Sequence, residues 1–68
     1  MKTIVAESPE HRAFLHESGH VSIYRKRFGG RMSPAGGGRW KAGRILGSDV
    51  SPAVLSRLEE ELHAALRP

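Results

Sequence analysis

The sequence predicts a small α+β domain of two layers, with helices covering one face of a short sheet. Three observations point there: an apolar stripe at helical spacing near the C-terminus, runs of β-favouring residues ahead of it, and enough large side chains for one thin core. That supply is six Leu, three Ile, four Val, two Phe, Trp40 and Tyr24 in 68 residues. Domains of this size bury only ~60% of the surface their unfolded chain exposes. With no Cys, neither a disulfide nor a thiolate-held metal can reinforce the core. The expected order is β-α-β-β-α, in a single domain over residues 1–68.

Residues 2–6 read as a short strand rich in Thr, Ile and Val. Ser8-Pro9-Glu10 then carries a helix-start signal: a capping hydroxyl, a proline that needs no N–H, and an acid near the positive helix end. The helix it predicts runs through Arg12, Phe14 and Leu15 and stops near Ser18, with Gly19 past its end. Residues 20–28 read as a strand, with Val21 and Ile23 toward the core and Ser22, Tyr24, Lys26 and Phe28 on the opposite face. Residues 29–38 hold five of the eight glycines and read as a flexible loop. Residues 39–46 form the next strand, so the two strands pair as an antiparallel hairpin with a long, Gly-rich, basic tip. Finally, Ser51 and Pro52 open an amphipathic helix in which Val54, Leu55, Leu58, Leu62, Ala65 and Leu66 share an arc of about 120°.

Charge is the most informative feature. Between positions 18 and 48 lie Arg25, Lys26, Arg27, Arg31, Arg39, Lys41 and Arg44 and no acidic residue. The flanks share the other four basic residues and all seven acidic ones, so a segment of +7 sits between ends that total −3. Like charges at this density repel unless an anion lies nearby. Cations interleaved with Tyr24, Phe28 and Trp40 are the ingredients of a nucleic-acid surface, since cations neutralise phosphates and aromatic faces stack on unpaired bases. A two-stranded ribbon would also fit a DNA major groove. The expected binding set is Arg25, Lys26, Arg27, Arg31, Arg39, Trp40, Lys41 and Arg44. Trp40 has a competing use in the core of a domain so poor in aromatics.

Catalytic signals are few. His16-Glu17-Ser18-Gly19-His20 fits H-E-x-x-H, in which two histidines on one helical face ligate zinc and the glutamate activates water. Three features stand against it: a third ligand must come from outside the motif, from His11, His63 or Glu59-Glu60-Glu61, the expected helix ends at Gly19, and the chain is too short to build a substrate cleft. His16 and His20 are therefore a zinc alternative, and the expected metal and cofactor sets are empty. Gly36-Gly37-Gly38-Arg39 lacks the phosphate-loop pattern, no Ser sits in a nucleophile elbow, and an enclosed catalytic pocket is beyond this chain's size.

Two functions from different classes are compatible with this pattern. In the first, a non-enzymatic regulatory protein of a nucleic-acid process such as transcription binds nucleic acid through the basic hairpin. In the second, it docks on an acidic surface of a polymerase or nuclease, using the basic arm for steering and the seam Leu55, Leu58, Leu62 and Leu66 for buried contact. The same seam offers a route to a homodimer. No run of 18 apolar residues is present and the start of the chain does not resemble a signal peptide, so a cytoplasmic protein with no membrane partner is expected.

Overall fold

Each strand pairs with its successor in the chain. The computed structural model describes residues 3–67. It contains β1 (Ile4–Glu7), β2 (His11–Leu15), β3 (His20–Lys26), a 3-10 turn at Phe28–Gly30, β4 (Met32–Lys41), β5 (Arg44–Leu46) and α1 (Pro52–Leu66). The strands form one antiparallel sheet in the order β1-β2-β3-β4-β5, with α1 against one face. The fold is therefore α+β, as expected, with two differences in element order. The positions Lys2 and Pro68 lie outside the described residues.

The first difference is that the expected helix over 9–18 is strand β2. Ser8 does not cap a helix: its N–H donates to the His11 carbonyl (2.9 Å) and its Oγ accepts from the His11 N–H (3.0 Å). Pro9 and Glu10 form the loop of a hairpin joining β1 to β2. Ser-Pro suits the start of a tight turn as well as the start of a helix. Beyond the turn the chain alternates with period two: Ala13 and Leu15 are buried while Arg12 and Phe14 take the other face. Gly19 still supplies a left-handed residue (φ 93°), but it closes the β2–β3 turn.

The second concerns the glycine run. Residues 29–38 are not a flexible loop, because from Met32 onward they form the central part of β4, with Gly36, Gly37 and Gly38 opposite Ile23, Ser22 and Val21. The run is demanded by close packing: a Cβ on Gly38 would stand 2.6 Å from the Leu46 carbonyl oxygen and 3.0 Å from Ile45 Cγ2. A register shift between Ile23 and Tyr24 leaves an extra β4 residue, Ala35, which bends the strand. The expected strand over 39–46 is likewise broken, at Ala42 (φ 53°) and Gly43 (φ 78°). Two left-handed residues make the two-residue turn that suits a twisted hairpin.

Ala6, Ala13, Leu15, Val21, Ile23 and Ile45 from the sheet meet Leu58 and Leu62 of α1 in the core. The helix begins as expected, with Ser51 Oγ accepting from the Val54 N–H (3.5 Å) and Pro52 in its first turn. Among the described residues no helix is long and apolar enough to cross a membrane. The helix lies against β1 and β2 and also reaches β5. The 15 residues of α1 extend about 22 Å, enough to reach both outer strands of a sheet about 19 Å across.

Two polar ties hold the β5 side of the helix. Glu59, within what reads as a solvated acidic run, accepts the Ile45 N–H (2.9 Å), and His63 donates from Nε2 to the Gly43 carbonyl (2.9 Å).

This packing corrects the expected seam. Leu58 and Leu62 are 0% exposed and Leu55 is half-buried, so of the four only Leu66, at 43% exposure, faces water. Five strands, rather than three, provide enough sheet to cover the stripe.

Gly38→Ala is expected to force β4 and β5 apart and to cost about 1–3 kcal/mol. Total stability at this length is on the order of 3–10 kcal/mol. The urea unfolding midpoint should fall accordingly; an unchanged midpoint would mean that Gly38 is not needed for the close approach.

Candidate nucleic-acid interface

The ten residues of β4 extend about 30 Å at ~3.3 Å each, and this strand sorts the basic residues to its two ends. At one end, where β3 passes into β4, lie Arg25, Lys26, Arg27 and Arg31; at the other, where β4 passes into β5, lie Arg39, Lys41 and Arg44. They divide again by partner. Lys26 Nζ donates to Glu7 Oε2 (2.8 Å) and to the Ser8 carbonyl (3.1 Å), and Arg25 lies 3.7 Å from Glu10. Arg12 holds the second Glu7 oxygen (2.7 Å). Among the described residues, Arg27, Arg31, Arg39, Lys41 and Arg44 have no carboxylate within ion-pair distance. The segment that reads as uniformly basic thus has two members answered by acids of the N-terminal flank and five left over.

Trp40 belongs to the other face. It packs half-buried on the core, edge-on to His63 with ring centroids 5.3 Å apart. Alternation along β4 puts Arg39 and Lys41 on the outer face and Trp40 between them on the helix side, so the structure does not bring Trp40 together with its two basic neighbours.

The β3–β4 end is where concave surface and cations coincide. A depression of 480 Å³ is lined by Arg25, Lys26, Arg27, Phe28 and Arg31. One of 460 Å³ adjoins it toward α1, bordered by His11, Arg25, Arg27 and Ser33, and one of 210 Å³ adjoins it toward the outer face, bordered by Arg12, Lys26, Arg27 and Arg31. Arg27 borders all three, and its Nε donates to Ser33 Oγ (2.8 Å), which fixes the base of the guanidinium. Phe28 is 100% exposed. Leaving such a ring in water forgoes roughly 1.5–3 kcal/mol of burial. Sequence reasoning placed Phe28 at the end of a strand and left it out of the binding set. Its signal was an aromatic between Arg27 and Gly29-Gly30, where the chain turns and no core is within reach.

The outer face of the sheet, away from α1, collects residues that sequence reasoning had dispersed. Val5, Phe14, Ser22 and Gly37 lie in register across four strands, and Glu7, Arg12, Tyr24 and Pro34 form the next row. Phe14 and Tyr24 meet edge to face at 5.7 Å. His16 and His20 stack at 5.9 Å with 19° between their planes, and His16 Nε2 is hydrogen-bonded with Ser22 Oγ (3.0 Å). The H-E-x-x-H pentapeptide is thus a β-turn that sets its imidazoles in a stack on a sheet face, and not on one side of a helix. Among the described residues no group of three or more metal-ligating side chains gathers.

Glu7 organises this side of the molecule. Its carboxyl is held below its ordinary value of 4.5, first by the hydrogen bond from Lys26, against a smaller opposing effect of burial, and then by the charge of Arg12. Because the folded value is lowered, the stabilisation is present above the ordinary value and is lost as pH falls through the lowered one. The melting-temperature gap between the wild type and Glu7→Gln should therefore be open at neutral pH and close below pH 4.5. A gap that persisted undiminished into acid would show that charge pairing is not its source.

Compared with protein-family models, curated proteins and solved structures, this chain matches none, so the functional reading rests on the geometry and charge of its own surface.

Proposed function

We propose that this protein is a non-enzymatic nucleic-acid-binding module, acting in a process such as transcription in the cytoplasm. The observation that carries the reading is the pair of cationic clusters left without carboxylates, Arg27 and Arg31 at one end of β4 and Arg39, Lys41 and Arg44 at the other. A small anion can satisfy one cluster only. A ligand that answers both must carry charge over about 30 Å, as a phosphate backbone does. The exposed Phe28 beside Arg27 and Arg31 adds a stacking surface of the kind nucleic acid uses. Four of the five cations are arginines, whose planar fork suits phosphate. Docking on an acidic protein surface is the competing reading, and it loses its main apolar contact with the burial of Leu58 and Leu62.

The test is fluorescence anisotropy with labelled nucleic acids at about 50 and 200 mM salt. Micromolar binding is expected, with log K falling by ~0.7–0.9 per phosphate contact against log salt. Neutralising Arg25, Lys26, Arg27, Arg39 and Lys41 together should abolish it. Changing Arg27 and Arg31 alone, or Arg39, Lys41 and Arg44 alone, should each reduce the salt slope by about one per lost contact. Binding weaker than about 100 μM to every nucleic acid, with tight binding to an acidic polypeptide, would overturn the reading in favour of docking.

A further inference from the structure

We infer that the ligand is a single strand, and that it runs along the outer sheet face beside β4 with bases stacked on Phe14, Tyr24 and the His16–His20 pair. Its phosphates are held by Arg27 and Arg31 at one end and by Arg39, Lys41 and Arg44 at the other. This rests on the nucleic-acid reading above and adds the form of the ligand and its path.

The placement of the rings is the first argument. Of the four aromatic residues, Trp40 alone packs on the core cluster. Phe14 and Tyr24 lie on the face that no other element covers, and Phe28 stands at the tip in water. In so small a core these rings would contribute more inside than outside. Phe14 and Tyr24 are half-buried and meet edge to face, so each offers a flat partner its outward part, while Phe28 is open on all sides.

Shape supplies the second argument. A projecting two-stranded ribbon, which would suit a major groove, is not what β3 and β4 form, because β2 pairs along the other edge of β3 from Val21 to Arg25. A five-stranded sheet is about 20 Å wide, and the major groove is only about 12 Å. A duplex would touch this face only with phosphates and leave the rings unused, because its bases are stacked on one another. A single strand can present phosphates and base faces at once.

The third argument is the low ground between the ring pairs. Ser22 and Gly37 are neighbours in register, and Ser22 is engaged by His16. A Cβ on Gly37 would stand 2.8 Å from the Val21 carbonyl oxygen, so β4 carries a bare glycine here and the His20 ring lies just beside it. The two cationic clusters, about 30 Å apart along β4, then set a footprint on the order of 5–10 nucleotides.

The experiment titrates the full chain with labelled single-stranded DNA and RNA of 4, 8 and 12 nucleotides and with a 12-base-pair duplex. Single strands of either sugar should bind at least tenfold more tightly than the duplex, with affinity rising between the 4-mer and the 12-mer. Tyr24→Val and Phe14→Val, which keep β-favouring side chains, should each weaken single-strand binding about 5- to 100-fold, while Tyr24→Phe should bind like the wild type. Circular dichroism confirms that the variants are folded. Duplex binding as tight as single-strand binding, or folded Val variants with unchanged affinity, would overturn this inference and leave the broader nucleic-acid reading standing. Absence of binding to every nucleic acid would instead remove the reading beneath it.

Discussion

One helix packs on the sheet from its first strand to its last, and that contact governs the rest of the molecule. Leu58 and Leu62 are its centre, wholly buried against Ala6, Ala13, Leu15, Val21, Ile23 and Ile45. Strand β4 approaches its neighbours closely by giving up side chains at Gly36–Gly38, and it carries an extra residue at Ala35. Glu59 and His63 then hold β5 and its turn to the helix. An edge strand of three residues would otherwise have little to keep it in place.

With α1 against one face of the sheet, the strand residues divide into two unlike surfaces. The inner one is aliphatic, with Trp40 at its margin. The outer one carries Phe14, Tyr24, two stacked imidazoles and a line of cations. Glu7 sits at the boundary and answers Arg12 and Lys26 together. Local pairing in this way uses up part of the charge that the sequence displays and concentrates what remains at the two turns of β4. Exposed ion pairs contribute little to stability, and their larger effect here is on which cations stay available.

Legibility differed from element to element for physical reasons. Helix α1 was readable because its signals are local: a capping Ser51, a Pro52 that needs no N–H, and a repeated apolar stripe. Strand β3 was readable from Val21 and Ile23, which alternate toward the core as expected. Strand β2 was misread because Ser8-Pro9-Glu10 is compatible with both a helix start and a tight turn. The choice was made by Ala13 and Leu15, which gain more from pairing between two strands than from a thin helical face. The glycine run was misread because a residue without a side chain looks the same whether it is needed for freedom or for close approach. Only the position of Leu46 and Ile45 across from Gly38 distinguishes the two. In the candidate site, the basic segment was visible and the partnership of Lys26 with Glu7, nineteen positions away, was not.

By itself the sequence determined the α+β class, the C-terminal helix and a basic segment between acidic flanks, because composition, capping and charge are properties of neighbouring residues. Tertiary structure alone decided that the glycines lie within a strand, that Trp40 turns inward while Phe14 and Tyr24 turn outward, and that, among the described residues, five of the seven cations of the basic segment have no acid partner. Those outcomes depend on register and packing, which are set by contacts between residues distant in the chain and leave no mark on any short stretch of it.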